Sequence, residues 1–474
     1  MSSFDMPAES FRKIGYQLVD LVSDLLEAER TDPVLTSASG EEIRALFEEP
    51  LPREGSSLEQ VLSAYRDVFL TYNRRNGHPR FWGYVSSSAD PVGVLADMLA
   101  SAMNQNVTSW RSAPMGTEME RRVIHWLDEM VGFEGGGQGF LTSGGSAANT
   151  MALGAAVARA ERPAGRPPLA RSQLTLYVSK EAHLSLRKAA RVLGIAEAHI
   201  RTIGIDEARR IAVGELATCL AADVQAGLVP ACVCASAGTA NTGAIDPLEA
   251  VADVCKPYGV WFHIDGAYGA LAAITDTYGW MSRAFRRADS LALDPHKWLY
   301  APLDVGCLLF REAAPFQRAY AQASEYTAVA RHDPIEQYAF FDHSLELSRR
   351  LRALKVWMIL KVRGVAALAA MIEQNITLRR SLDARIGAEP RLEALGSDLS
   401  ITCFRYVPDR RMSEEALNRL NRRILESLVQ QGQLYMSPTT LDGRYGLRVC
   451  IVNFRTRQED VDFLVEQVLC LGAQ

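Results

Sequence analysis

Ser290-Leu-Ala-Leu-Asp-Pro-His-Lys-Trp298, followed at once by Val305-Gly-Cys-Leu-Leu-Phe310, decides how this chain folds. Both apolar runs are short and rich in branched residues, so they read as buried strands. Between them stands Lys297. An ammonium at the end of a core strand is costly to bury, unless its head snorkels to water. Held neutral or as an imine, the same amine serves Schiff-base chemistry with a carbonyl compound. The lysine alone does not decide between these roles; its surroundings do.

Upstream of the lysine run the pattern alternates. Helices are predicted over 92–104 and 116–130, then a strand over 139–142, a glycine pair and a helix over 146–160. Strand 174–179 precedes helix 184–193, strand 229–236 precedes helix 247–258, and strand 260–264 leads toward the lysine. Such alternation predicts an α/β fold with a mostly parallel central sheet and helices on both faces. Ligands on such sheets bind beyond the carboxyl ends of the strands. The first ninety residues differ. Runs 11–26 and 57–69 are amphipathic helices joined by a Pro/Ser/Glu-rich connector over 33–55. They are too few to enclose a core, so residues 1–90 are expected to form an arm that packs on a partner subunit. A long helix is predicted over 346–362. Beyond it, strands 402–407, 434–437 and 446–452 alternate with helices 413–431 and 459–471, giving a small α+β domain. The expected division is 1–90, 91–354 and 355–474.

The 474 residues are 48% hydrophobic and 23% charged, with a net charge of −5. That is an ordinary globular composition. No long basic stretch points to nucleic acid, and no apolar run reaches the ~18–20 residues that span a membrane. The first residues lack the basic start and apolar core of a secretory signal. Eight cysteines are scattered without metal or disulfide spacing, which fits a reducing cytoplasm and no metal site.

Four further features cluster at strand ends. Phe140-Leu-Thr-Ser-Gly-Gly-Ser146 is a strand, a glycine turn and a helix start, where free N–H groups can seat a phosphate. Trp261-Phe-His-Ile-Asp265 ends a strand in an aspartate, which could cap the next helix or pair with a pyridinium nitrogen. His183 follows strand 174–179, and Gly238-Thr239 follows strand 229–236. Each alone reads as plain turn or capping chemistry. With Lys297 they supply the parts of a pyridoxal 5′-phosphate (PLP) site.

Together with Phe11-Arg-Lys-Ile-Gly15, His78-Pro-Arg-Phe81, Ser109-Trp110, Pro295-His-Lys-Trp298 and Arg349-Arg-Leu-Arg352, these residues fall in one order over almost the whole chain. In that order the sequence resembles the group II PLP-dependent amino acid decarboxylases, relatives of aromatic-L-amino-acid decarboxylase. The resemblance implies PLP fold type I, the aspartate-aminotransferase-like fold, in a homodimer with its active site at the subunit interface. It implies that Lys297 carries PLP as a Schiff base, that Asp265 pairs with the ring nitrogen, and that His183 stacks on the ring with Ala267 on the other face. Gly145 and Ser146 would hold the phosphate, with Thr239 and His296 also against the cofactor. Tyr326, in a lid-like loop, would return a proton to carbon after CO2 leaves. The family often has asparagine where this chain has Asp294; an aspartate would repel phosphate, so Asp294 is not assigned to it.

For the substrate, the resemblance points to Trp82, Tyr84, Val85, Asn106, Thr108, Leu303 and Arg448. Aromatic-specific relatives carry phenylalanines where Val85, Thr108 and Leu303 stand here, so this pocket reads as wider and more polar. An aromatic L-amino acid and a smaller or polar one are both expected candidates, with amine and CO2 as products. Oxygen-dependent formation of an aldehyde is the alternative outcome, against which Tyr326 argues.

Overall fold

The computed structural model describes residues 5–162, 167–322 and 335–474. A two-residue strand, β1 (Phe81–Trp82), precedes a seven-stranded sheet made of β2 (Gly139–Thr142), β3 (Leu174–Ser179), β4 (Ile200–Ile203), β5 (Val229–Ser236), β6 (Trp261–Asp265), β7 (Ser290–Leu293) and β8 (Gly306–Phe310). Their spatial order is β2-β8-β7-β6-β5-β3-β4. The five strands from β4 to β7 run parallel. Helical segments separate them in sequence, as a parallel crossover requires. The short lysine turn cannot make such a crossover, so β8 returns antiparallel to β7, and β2 pairs antiparallel with β8. Strands β2, β3, β6, β7 and β8 are buried at every position. This is the pattern of a sheet covered on both faces.

A second sheet is built from β9 (Leu392–Asp398), β10 (Ile401–Tyr406), β11 (Tyr435–Leu441) and β12 (Arg444–Cys450), in the order β1-β11-β12-β10-β9. β1 runs parallel to β11, which ties residues 81–82 to the C-terminal part of the chain.

Several segments depart from the sequence reading, among them strand β9, which it does not contain. The helix expected from 346 begins only at Ala353 and extends to Ala388, interrupted at Gly364 with φ +74°. Residue 349 is held out of it by its own bonds. The Arg349 N–H donates to Asn106 Oδ1 (2.7 Å) and its guanidinium donates to the Val107 and Leu141 carbonyls. Strand β4 and the helix Val213–Gln225 have no counterpart in the reading; four residues, Ile-Arg-Thr-Ile, are too few to show a period. The N-terminal helices Ala8–Glu27 and Leu58–Thr71 bury little: Ile14 in the first and no residue in the second. Phe11, Tyr16 and Phe69 stand exposed on them. Among the described residues, no helix is long and apolar enough to cross a membrane.

Candidate active site

The parallel register brings the strand ends together. Ser236 pairs with Asp265, and Asp265 with Ala292, so β5, β6 and β7 finish side by side. A cavity of about 810 Å³ opens at these ends. Its lining includes Lys297, Asp265, His183, Ala267, Thr239 and His296, together with the glycine turn 144–146.

The glycine turn is the first station. The helix Gly145–Glu161 starts there with no side chain capping it. Gly144 has φ +149°, and a Cβ on Gly145 would sit 2.6 Å from the Ala267 Cβ. Only glycine lets the first helical N–H groups come this close to the neighbouring strand end. The result is an anion seat at the positive end of a 17-residue helix.

Asp265 is the second station. Its Oδ2 accepts from Asn149 Nδ2 (2.9 Å) and its Oδ1 from the Ala267 N–H (3.2 Å). Behind it the hydrogen bonds run in one direction. Trp261 Nε1 donates to Ser290 Oγ (2.8 Å), and Ser290 Oγ lies 2.8 Å from His263 Nδ1. His263 Nε2 lies 2.9 Å from Asn149 Oδ1. A carboxylate accepts only, so the Asn149 amide must turn its NH2 to Asp265 and its oxygen to His263. His263 is then the donor at Nε2 and accepts the Ser290 hydroxyl at Nδ1. Burial pushes the His263 pKa down to about 4, against the pull of Asp265, so the ring stays neutral as this chain demands.

The same logic sets His183. Ser185 Oγ lies 2.7 Å from its Nδ1, and the Ser185 N–H also donates to that atom (3.3 Å). Nδ1 is therefore the acceptor, and in the neutral ring Nε2 carries the hydrogen. Asn149 Nδ2 also reaches Ser185 Oγ (3.1 Å), so one amide orients both Asp265 and His183.

Lys297 is the third station. It lies on a single helical turn, Pro295–Trp298, and its Nζ is 3.0 Å from Asp294 Oδ2. His296 Nε2 approaches the same oxygen at 3.5 Å, and burial lowers the His296 pKa. Ser87 Oγ donates to the His296 carbonyl (2.7 Å).

The remaining substrate candidates divide. Tyr84, Val85, Leu303 and Arg448 line the cavity. Arg448 is 4% exposed, and its guanidinium donates to the carbonyls of Asn241, Tyr84 and Ala240. Trp82 is a correction. It is fully buried among Leu382, Ile424 and Leu428, and its Nε1 donates to Thr456 Oγ1 (3.4 Å). β1 ends at Trp82 and Tyr84 takes φ +57°, so the two aromatic side chains do not share a face. Asn106 and Thr108 are also not brought to this cavity within one chain; Asn106 Oδ1 holds the Arg349 N–H, and the Thr108 carbonyl accepts from the Phe340 N–H. Tyr326 lies outside the described residues.

Several residues at the site escape a sequence reading. Asn149 and Ser185 sit in helix-forming runs where a polar residue looks like solvent face. Tyr435, whose hydroxyl is 3.0 Å from that of Tyr84, comes from a strand 351 residues further along the chain. No group of metal-ligating side chains gathers among the described residues.

An anion seat, a strand-end carboxylate fixed by N–H donors, and a lysine amine in the same cavity suit a group with a phosphate, a basic ring nitrogen and an aldehyde. The three stations thus fit PLP. Comparison with known proteins agrees. The family described as "Pyridoxal-dependent decarboxylase conserved domain" matches residues 40–407. The chain is 35% identical to an aromatic-L-amino-acid decarboxylase of Bacillus atrophaeus over 100% of its own length and 97% of that protein. It is 30% identical to tyrosine decarboxylase 4 of Petroselinum crispum, over 94% and 89%. The crystal structure of Oryza sativa TDC with PLP and tryptamine superposes with a TM-score of 0.93 at 27% identity, covering 99% of both chains. The chain belongs to the pyridoxal-dependent decarboxylase family, as a PLP fold type I carboxy-lyase of amino acids that uses pyridoxal 5′-phosphate.

Proposed function

We propose that the protein converts an aromatic L-amino acid to its amine and CO2. The observation that carries this reading is the lining of the cavity, where Lys297, Asp265 and His183 share one space with Tyr84, Tyr435 and Leu303. The aromatic substrates named for the relatives from Bacillus atrophaeus and Petroselinum crispum support it.

In this reading Gly145 and Ser146 would hold the cofactor's phosphate, with Ala267, His183 and Thr239 lining the space for its ring. PLP, when bound, supplies an electron sink for the pair left on carbon as CO2 departs. Asp265, each of whose oxygens accepts an N–H, would hold a proton on the ring nitrogen so that the sink stays effective. Lys297 would anchor the cofactor and yield it to the substrate amine. His183 presents its Nε2–H to the cavity and orients the substrate. The carboxylate loses its charge as the bond breaks, so a tight cationic grip on it would stabilise the starting state and slow the reaction. Arg448 suits this requirement: three of its N–H groups are engaged by backbone carbonyls. Its part is to hold Tyr84 and the 240–241 loop in place.

The active unit in this proposal is a homodimer in the cytoplasm. Leu95, Met98 and Leu99 form an exposed apolar stripe, and the N-terminal helices expose Phe11, Tyr16 and Phe69. Surfaces of this kind mark association sites. Asn106 and Thr108 would then reach the cavity of a second subunit.

The test is a panel of L-amino acids scored for CO2 and amine with the PLP-loaded protein. Turnover of tyrosine, tryptophan or their relatives above all others is expected. A preference for a small or acidic amino acid would overturn the aromatic assignment. Light scattering at micromolar concentration tests the dimer, and a monomer that turns over substrate would overturn it.

A further inference from the structure

Asp294 is 2% exposed, and its Oδ1 has no hydrogen-bond partner among the described residues. Its Oδ2 faces Lys297 Nζ at 3.0 Å and His296 Nε2 at 3.5 Å. The carboxylate also borders the anion seat. A Cβ on Gly145 would lie 3.2 Å from Oδ2, and one on Gly306 would lie 2.6 Å from Oδ1 and 2.5 Å from the Gly144 Cα. The other titratable neighbour is Cys307 on β8, whose thiol is pushed up by burial and feels the Asp294 charge. Lys297 is therefore the one full counter-charge that this buried carboxylate meets among the described residues.

That counter-charge is temporary. Lys297 can bond the cofactor's aldehyde carbon only as a neutral amine. The ammonium must first lose one proton. Its Nζ then bonds the carbon, and the aldehyde oxygen leaves as water with the two protons that remained on nitrogen; no electrons change hands between partners. A carboxylate left behind would be buried, short of donors and beside a phosphate. Such a group takes up a proton. We propose that Asp294 receives the Lys297 proton at Oδ2 during cofactor loading. In the holoenzyme it stays a neutral carboxylic acid and donates a hydrogen bond to the phosphate. This positioning role rests on the PLP reading of the site. It gives the aspartate at this place the function of a switchable donor.

The test is infrared difference spectroscopy of the whole protein before and after loading with PLP, with visible absorbance followed in parallel. Loading is expected to create a carboxylic-acid C=O band. The band should shift when the protein carries 13C-carboxyl aspartate, and it should be missing from Asp294→Asn. If Asp294→Asn does not load, Asp294→Glu serves: the band should then follow 13C-glutamate and not 13C-aspartate. Full visible absorbance without a new band overturns the proposal, as does a band that persists in Asp294→Asn or still follows aspartate in Asp294→Glu. A protein that develops no visible absorbance at all would instead overturn the PLP reading, so the two failures are distinct.

Discussion

Asp265 and Asp294 stand at the ends of neighbouring strands, both almost fully buried, yet they are built differently. Each oxygen of Asp265 accepts an N–H, and the donors are themselves fixed, one by the backbone and one by the chain from Trp261 through His263 to Asn149. Asp294 has one oxygen against the Lys297 amine, and the other has no hydrogen-bond partner among the described residues. The first is met by donors that belong to the fold and never leave. The second leans on Lys297, whose proton it is proposed to receive. A site that must hold one proton steadily and move another needs both kinds.

The largest expected effect comes from removing the lysine that faces Asp294. Lys297→Ala should lower decarboxylation by roughly a thousandfold or more, because both the anchor and the amine that exchanges with substrate are gone. Borohydride reduction should no longer fix the cofactor to the chain. Retained labelling at another lysine would break the assignment.

Asp265→Asn tests the carboxylate held by fixed donors. The amide cannot accept from both Asn149 Nδ2 and the Ala267 N–H, and it carries no charge to hold a proton on the ring nitrogen. A fall of roughly a hundredfold in kcat/KM is expected for the loss of such a preorganised charge. Lys297 should still be trapped by borohydride. Unchanged turnover would show that the carboxylate is structural only.

Asn149→Ala removes the bridge and leaves its partners in place. His263 Nε2 and one oxygen of Asp265 would then be buried without a partner, a loss of about 1–3 kcal/mol in stability for each group left unsatisfied. The urea midpoint of the PLP-free protein should fall. Turnover should drop about tenfold as Asp265 and His183 lose a shared orienting bond. A lowered midpoint with full activity would separate the network's structural part from its chemical one.

Much of this was legible in the chain. Strands 174–179, 229–236 and 290–293 match the reading residue for residue. Uninterrupted apolar runs between turn residues leave little freedom. Lys297, Asp265, His183 and the turn 144–146 meet because each ends or follows a strand that runs the same way in one mixed sheet, and such ends converge. What failed depended on contacts distant in sequence. Trp82 reads as a companion of Tyr84 until β11 pairs with β1 and draws it into the second core. Arg349 reads as helical until Glu120, Val107 and Leu141 claim its guanidinium. Asn149 looks like a surface residue until β6 places His263 and Asp265 against it.

The smallest expected effect lies in pH and tests why the Asp265 side stays fixed. Burial holds the His263 pKa at about 4, well under its ordinary 6.5. The unfolded chain therefore binds this proton more readily than the folded one at any pH between those values. Stability should rise with pH across that window and fall on acidification from about 6.5 toward 4. At pH 5 the loss from this one residue is about 2 kcal/mol relative to pH 7. His78, also held at about 4 by burial, adds to it in the same direction. His263→Gln keeps a donor for Asn149 and an acceptor for Ser290 but cannot be protonated. Its urea midpoint at pH 7 should be modestly lower than that of the parent protein, and its further drop at pH 5 clearly smaller. Equal drops in the two proteins would mean that the ring is not the acid-labile link, and that protonation elsewhere loosens Asp265.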